Sequence, residues 1–285
     1  MGWLVMVSYK GIIFCYTSHI LSLKRLRNKL YLRFMDAYLH GLLSLESFIF
    51  AFLAAFILGI SKAGVKGIAV LIVTLMALAF GGKSSTGMLM PLLIVGDVFA
   101  ITYYHRYTQW NYLKAFLPWM MLGVVIGVFV GKDLPEKTFQ MGMAITILAT
   151  LGMLIWWEKK KIKTIPTHWS FGSFMGIMAG ITTMIGNLAG AFSNIYFLAM
   201  RLPKNHFIGT AAWLFFFINL FKLPFHIFIW KTVTPESLKI FLILLPGTVL
   251  GLLTGVLFVH KISDAFFRKM ILVLTSIGAV VLFLK

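Results

Sequence analysis

"FFFINLFKLPFHIFIW" (215–230) is an almost unbroken apolar run that nonetheless contains Asn219, Lys222 and His226. A lysine inside such a segment is costly in a soluble core and in a bilayer alike, so it needs a partner or a purpose. The surrounding composition decides the solvent. Hydrophobic residues make up 60% of the 285, charged residues only 12%, and the mean hydropathy is +0.93. Soluble domains carry about twice that charged fraction. Apolar runs of spanning length recur from end to end, and lipid leaves the backbone only helices or closed barrels. These runs are apolar all round and do not alternate as barrel strands do. The fold class is therefore all-α, a polytopic transmembrane helical bundle of 8–10 spans.

The formal net charge of +18 sits mostly in short connections, as topology signals do, and is no nucleic-acid footprint. It also suits an anionic passenger. Cys15 is the only cysteine, which excludes a disulfide framework and a Cys-based metal site. Residues 1–34 contain "WLVMVSYKGIIFCYTSHILSL", interrupted by Lys10 and followed by "KRLRNK", without the basic start or small-residue cleavage site of a signal peptide. They read either as an extra helix or interfacial anchor, or as sequence upstream of a native start at Met35.

The apolar segments fall near 44–60, 67–81, 87–104, 111–131 and 138–157, then near 169–183, 187–200, 207–230, 237–258 and 266–284. That pattern divides the chain into two repeated halves, 44–157 and 169–284, joined by a basic cytoplasmic linker, 158–168. Gly59 and Gly180 are 121 residues apart, as are Lys83 and Lys204, while Asp97 and Asn219 are 122 apart. The fourth segments carry Gly123, Gly127 and Gly131 against Gly247, Gly251 and Gly255, 124 apart. Such spacing clears a helix face for close packing, so these ridges read as packing surfaces. Ten crossings make the halves inverted. Counting each short first pair as one broken crossing gives eight, and a parallel repeat; the inverted arrangement, with broken first helices, is the expectation.

Each half has a break between its first two segments, "GISKAGVKG" (59–67) and "GITTMIGNLAG" (180–190). Glycines and small polar residues can unwind a helix there, and helix N-termini within a membrane favour anions. Gly64, Asn187 and Gly190 belong to these breaks, and Lys62 and Lys66 add positive charge. Lys222 lies deep in its segment, with Asn219 three residues before it and His226 four after, all on one helix face. Asp97 sits at matching depth in the other half. Lys222 either pairs with Asp97 or faces a cavity as an anion ligand; the second is the expectation, with the two roles alternating in a cycle. Eight acidic residues, of which only Asp97 lies clearly within a span, leave little for general acid–base catalysis. The serines and histidines show no catalytic or metal-ligand spacing. No enzyme activity, cofactor or metal is expected. A P-loop is absent from the sequence, so transport would draw on an ion gradient, the membrane potential or the substrate's own gradient.

From Ile185 to Ile227 the sequence resembles the TauE/SafE sulfite exporter family. The resemblance rests on Asn187 and Gly190 before Tyr196, then on Pro203–Lys204, Gly209–Thr210, and Asn219, Lys222 and Pro224. "GISKAGVKGIAV" and "GMLMPLLIVGD", with Pro91 and Asp97, agree in outline. It extends over 45–284 and leaves the N-terminal stretch unmatched, in keeping with a start at Met35. The family's first break is often a near-continuous glycine run, where this chain has Lys62 and Lys66. The resemblance implies movement of sulfite, sulfonates or related organosulfur acids across a bacterial inner membrane. The expected reading is a multi-pass secondary exporter of a small anion. Lys222 and Asn219 would bind it with groups near Gly64, Asn187 and Gly190, Thr210 and Lys62 would assist, and Asp97 would be counter-ion or coupling group. The alternatives are an uptake permease for another small carboxylate or inorganic anion, an intramembrane enzyme, and a metal-cation carrier. Partners are the anion and membrane lipid; a homo-oligomer is left open.

Overall fold

The computed structural model describes residues 43–64, 68–160, 169–200 and 202–258. The N-terminal stretch 1–34, Lys66, most of the basic linker and the last apolar segment lie outside the described residues. Two compact units divide the chain, Met1–Leu45 and Glu46–Lys285, and the helices below belong to the second. In chain order they are α1 (Leu45–Lys62), α2 (Ala69–Phe80), α3 (Gly82–Tyr104), α4 (Trp110–Lys132), α5 (Glu136–Lys160), α6 (Trp169–Gly186), α7 (Gly190–Ala199), α8 (Lys204–Pro224) and α9 (Pro235–Phe258). No strand occurs among the described residues. Among the described residues, five segments are long and apolar enough to cross a membrane: Leu45–Lys62, Gly82–Tyr107, Trp110–Lys132, Asn205–Ile229 and Pro235–Leu257. The protein is an all-α polytopic helical bundle.

Helix directions follow from printed contacts. Gly87 in α3 abuts Thr232 just beyond α8, Asp97 meets Asn219, and Thr108 after α3 donates to Gly209 O near the start of α8 at 3.3 Å. Helices α3 and α8 therefore cross antiparallel. Only Gly81 separates α2 from α3, so α2 runs out to the face where α3 begins. At 12 residues it is about 18 Å long, well short of a bilayer's hydrocarbon core of ~30 Å. α1 comes in, α2 goes back out, and they meet inside the bundle. α6 and α7 make a second such hairpin from the opposite face, ending where α8 starts. Each short first pair is thus arranged as a hairpin.

The glycine ridges explain what holds each hairpin. A Cβ on Gly123 would lie 2.1 Å from Ile177 O, and one on Gly251 1.9 Å from Phe56 O. Gly59 and Gly180 face back with equal closeness, 2.2 Å from Thr248 O and 2.1 Å from Met120 O. Backbone meets backbone, α4 along α6 and α9 along α1, with both pairs parallel. The matching contacts belong to Gly123 and Gly251, and to Gly127 and Gly255, 128 residues apart. The 124-residue register of the sequence is thus displaced by one helical turn, because the connection after α8 is longer than that after α3. Around α4 and α6 an aromatic core closes: Phe116 stacks on Tyr196 with centroids 4.4 Å apart and tilts against Phe197 at 6.0 Å.

Prolines inside α3, α4 and α9 (Pro91, Pro118, Pro246) are absorbed by the helices, as membrane helices allow. Pro224 has a larger effect. The chain continues as a π-helical turn, Phe225–Ile229, with Trp230 N–H donating to Phe225 O at 2.8 Å.

The ridges generate a stability prediction. Gly123→Ala and Gly251→Ala push a methyl into a neighbouring carbonyl and should each cost about 2 kcal/mol or more. Gly142→Ala, whose Cβ meets nothing within 4 Å, should be neutral within about 0.5 kcal/mol. Thermal unfolding of the detergent-solubilised variants separates the two classes; equal midpoints would mean the helix contacts are looser than described.

Candidate functional site

The two hairpin tips converge on one cavity of about 160 Å³. Lys62 and Gly64 line it from the first tip, Asn187 and Gly190 from the second, and Asp97 and Asn219 from the crossing of α3 and α8. Five of the seven expected substrate-binding residues, together with Asp97, are therefore brought together. Lys222 and Thr210 are not among the lining residues.

Lys62 closes α1, and its ammonium is ion-paired with Asp97 Oδ1. Its stem lies on Gly96, where a Cβ would come within 2.7 Å of the Lys62 Cγ, so a larger residue there would push the lysine away. The ammonium also stands 5.5 Å from the centre of the Phe215 ring, a favourable place for a cation. The other carboxylate oxygen of Asp97 accepts from Asn219 Nδ2 at 2.6 Å. One carboxylate is thus held from α1 and from α8, and Asp97 is fully buried. The Lys62 side chain keeps 13% of its surface accessible against 1% for Asp97. That difference decides which partner can meet a ligand: the cation is the open side of the pair.

Lys222 occupies a different environment from the one its sequence position suggested. It is fully buried, and its ammonium donates to Thr183 O at 3.1 Å, Thr183 Oγ1 at 3.1 Å and Asn187 Oδ1 at 2.6 Å. An ammonium has three protons, and these bonds use them all. The ion-pair partner of Asp97 is Lys62. Lys222 holds the second tip together. Asn187 there has φ of 53°, a strained backbone for a non-glycine residue, and its Nδ2 donates to Thr86 O in α3 at 3.3 Å. Gly64 at the first tip has φ of 124°, which glycine alone adopts readily.

Thr210 is fully buried; its hydroxyl accepts from Gln109 N–H at 2.9 Å and donates to His206 O at 2.7 Å. It ties the connection after α3 to the first turns of α8 and lies apart from the cavity. His226 donates or accepts through Nδ1 to Thr232 Oγ1 at 2.8 Å, in the π-helical turn. Three polar lining residues escaped the sequence reading, Ser61, Thr183 and Asn194. The only signal for Asn194 is its place one turn beyond Gly190, hidden within the apolar run "FSNIYFLA".

A family model described as sulfite exporter TauE/SafE matches residues 47–282. The chain belongs to the TauE/SafE sulfite exporter family. That is a family of membrane transporters, and in this helical bundle the Lys62–Asp97 ion pair lines the cavity where the two hairpins meet. No match to the chain is found among curated proteins or among solved structures.

The buried ion pair makes a testable claim. Lys62→Met strands Asp97 without its cation and should destabilise the protein by about 3 kcal/mol, whereas Lys62→Met combined with Asp97→Asn should recover most of that loss. Thermal unfolding of the two single variants and the double variant checks it; strictly additive losses would show that the pair is not coupled.

Proposed function

We propose that the protein is a secondary transporter that exports a small anion, of the class of sulfite, sulfonates and related organosulfur acids, across a bacterial inner membrane. The observation that carries the reading is the ion pair of Lys62 and Asp97 at the junction of two hairpins. A cation that is paired but still accessible can exchange its carboxylate for a passenger anion without ever standing uncompensated in the membrane, where a lone charge is costly.

In this mechanism the anion enters the cavity and takes the Lys62 ammonium. Asp97 keeps its bond from Asn219 and takes up a proton as the anion arrives, so that charge in the cavity stays balanced. Asn187 and the backbone near Gly64 and Gly190 complete the shell around the anion. Lys222 positions the second tip and acts on the passenger through Asn187. The protein is a carrier without catalytic chemistry in this account.

Alternating access is assigned to two halves of inverted orientation. The antiparallel crossing of α3 and α8 supports it, as does the reciprocal seating of α1 on α9 and of α6 on α4. Asp97 and Asn219, equivalent positions in the two halves, touch each other across that crossing, which is what a two-fold axis in the membrane plane requires. Hairpins entering from opposite faces let one tip close while the other opens.

Sulfite efflux from preloaded cells tests the reading. Cells expressing wild type should release sulfite faster than empty cells. Lys62→Met should slow that release by about ten-fold or more, the size expected for losing a charged hydrogen bond to the anion, and Lys62→Arg should retain part of it. Normal efflux through Lys62→Met at equal expression would sink the site. Absence of sulfite and sulfonate efflux from wild type would sink the cargo.

A further inference from the structure

Two hairpins of similar build would line a cavity alike, so the places where their side chains differ are the places where a passenger can be told apart from its neighbours. Ala69 and Gly190 begin α2 and α7 and both line the cavity. One turn further on, α2 presents Val73 and α7 presents Asn194, 121 residues later in the chain. One wall is therefore aliphatic where the other offers an amide.

The three cavity-lining asparagines are not equally free. Asn187 is committed to Lys222 and to Thr86, and the amide nitrogen of Asn219 to Asp97. Asn194 is half-buried, and its side chain makes no hydrogen bond among the described residues. A Cβ at Gly190 would meet nothing but the Asn194 Nδ2, at 3.9 Å, so the missing side chain at 190 leaves the amide open to the cavity. An unused carboxamide brings two donors and an acceptor oxygen. It can therefore match a hydroxyl, an amine or a carboxylate, while Val73 and its neighbours Ile72 and Leu93 receive only alkyl surface.

We propose that Asn194 is a specificity-determining residue of the cavity: among anions held at Lys62, it selects those that carry a second hydrogen-bonding group a few atoms from the anionic one. A polar substituent placed in an aliphatic pocket loses its water without replacement; Asn194 supplies the replacement. A site that hydrogen-bonds such a group discriminates against the analogue lacking it, which an aliphatic pocket of the same size does not. The inference rests on the anion-transport reading above.

The test is binding to the purified protein in detergent, read as ligand-induced shifts of the unfolding temperature. Sulfite is measured beside two sulfonates of nearly equal size, 2-hydroxyethanesulfonate and propane-1-sulfonate, which differ by a hydroxyl in place of a methyl. Wild type should bind the hydroxylated sulfonate about ten-fold more tightly than the alkyl one, the scale of one well-made hydrogen bond. Asn194→Val should abolish that preference while leaving sulfite and propane-1-sulfonate within about two-fold of wild type, on the same scale of effects. Asn194→Gln should keep part of the preference.

A preference that survives Asn194→Val, or an equal loss for all three anions, would overturn the assignment while leaving anion transport standing. The absence of a preference in wild type that binds sulfite would do the same. If wild type binds none of the three, the anion-transport reading falls and the role of Asn194 falls with it.

Discussion

Asp97 is the fixed point of the structure. A carboxylate this deep in a membrane protein is tolerable only if its charge and its lone pairs are met, and here they are met from two directions. Lys62 reaches it from the tip of the first hairpin, and Asn219 reaches it from the other half of the chain. Because α3 and α8 cross at this contact, the carboxylate fixes their depth relative to each other. It also draws the first tip toward the crossing, and with it the cavity.

The two hairpins use the same materials to different ends. In the first, the tip supplies the lysine and the third helix the acid. In the second, the third helix supplies Lys222 and the tip supplies Thr183 and Asn187 as neutral acceptors. The second arrangement spends every proton of its ammonium on holding a strained turn. The first leaves its cation partly open beside an aromatic ring. The two tips thus present the cavity with different chemistry: a lysine whose protons are all taken behind one, and a partly accessible lysine at the other.

Much of this was readable in the sequence, for identifiable reasons. The order and approximate ends of the nine described helices followed from apolar runs, because lipid forces each run into a helix. The breaks near residues 64 and 187 were marked by glycine and small polar residues, and both indeed bound the cavity. Depth alone did not give the partners of Lys222. A lysine mid-segment announces that it needs partners, but whether those partners are a passenger or Thr183 and Asn187 depends on a tip 35 residues away in sequence that folds back on it. Lys62 was given an assisting part from its place in the first break, and the partner that the structure gives it, Asp97, lies 35 residues further along the chain. The glycine register slipped by a turn because the fourth-position spacing repeats every turn, and only the contacts with Phe56 and Ile177 show which glycine faces which. Asn194 was invisible because its run reads as uniformly apolar.

The central claim is that the passenger takes Lys62 from Asp97. Cryo-electron microscopy of the protein saturated with sulfite tests it most directly. The account predicts anion density within hydrogen-bonding distance of the Lys62 ammonium, the Asp97 carboxylate withdrawn from it, and Lys222 still bound to Thr183 and Asn187. Anion density at Lys222, or an anion in the cavity with the Lys62–Asp97 pair intact, would contradict it.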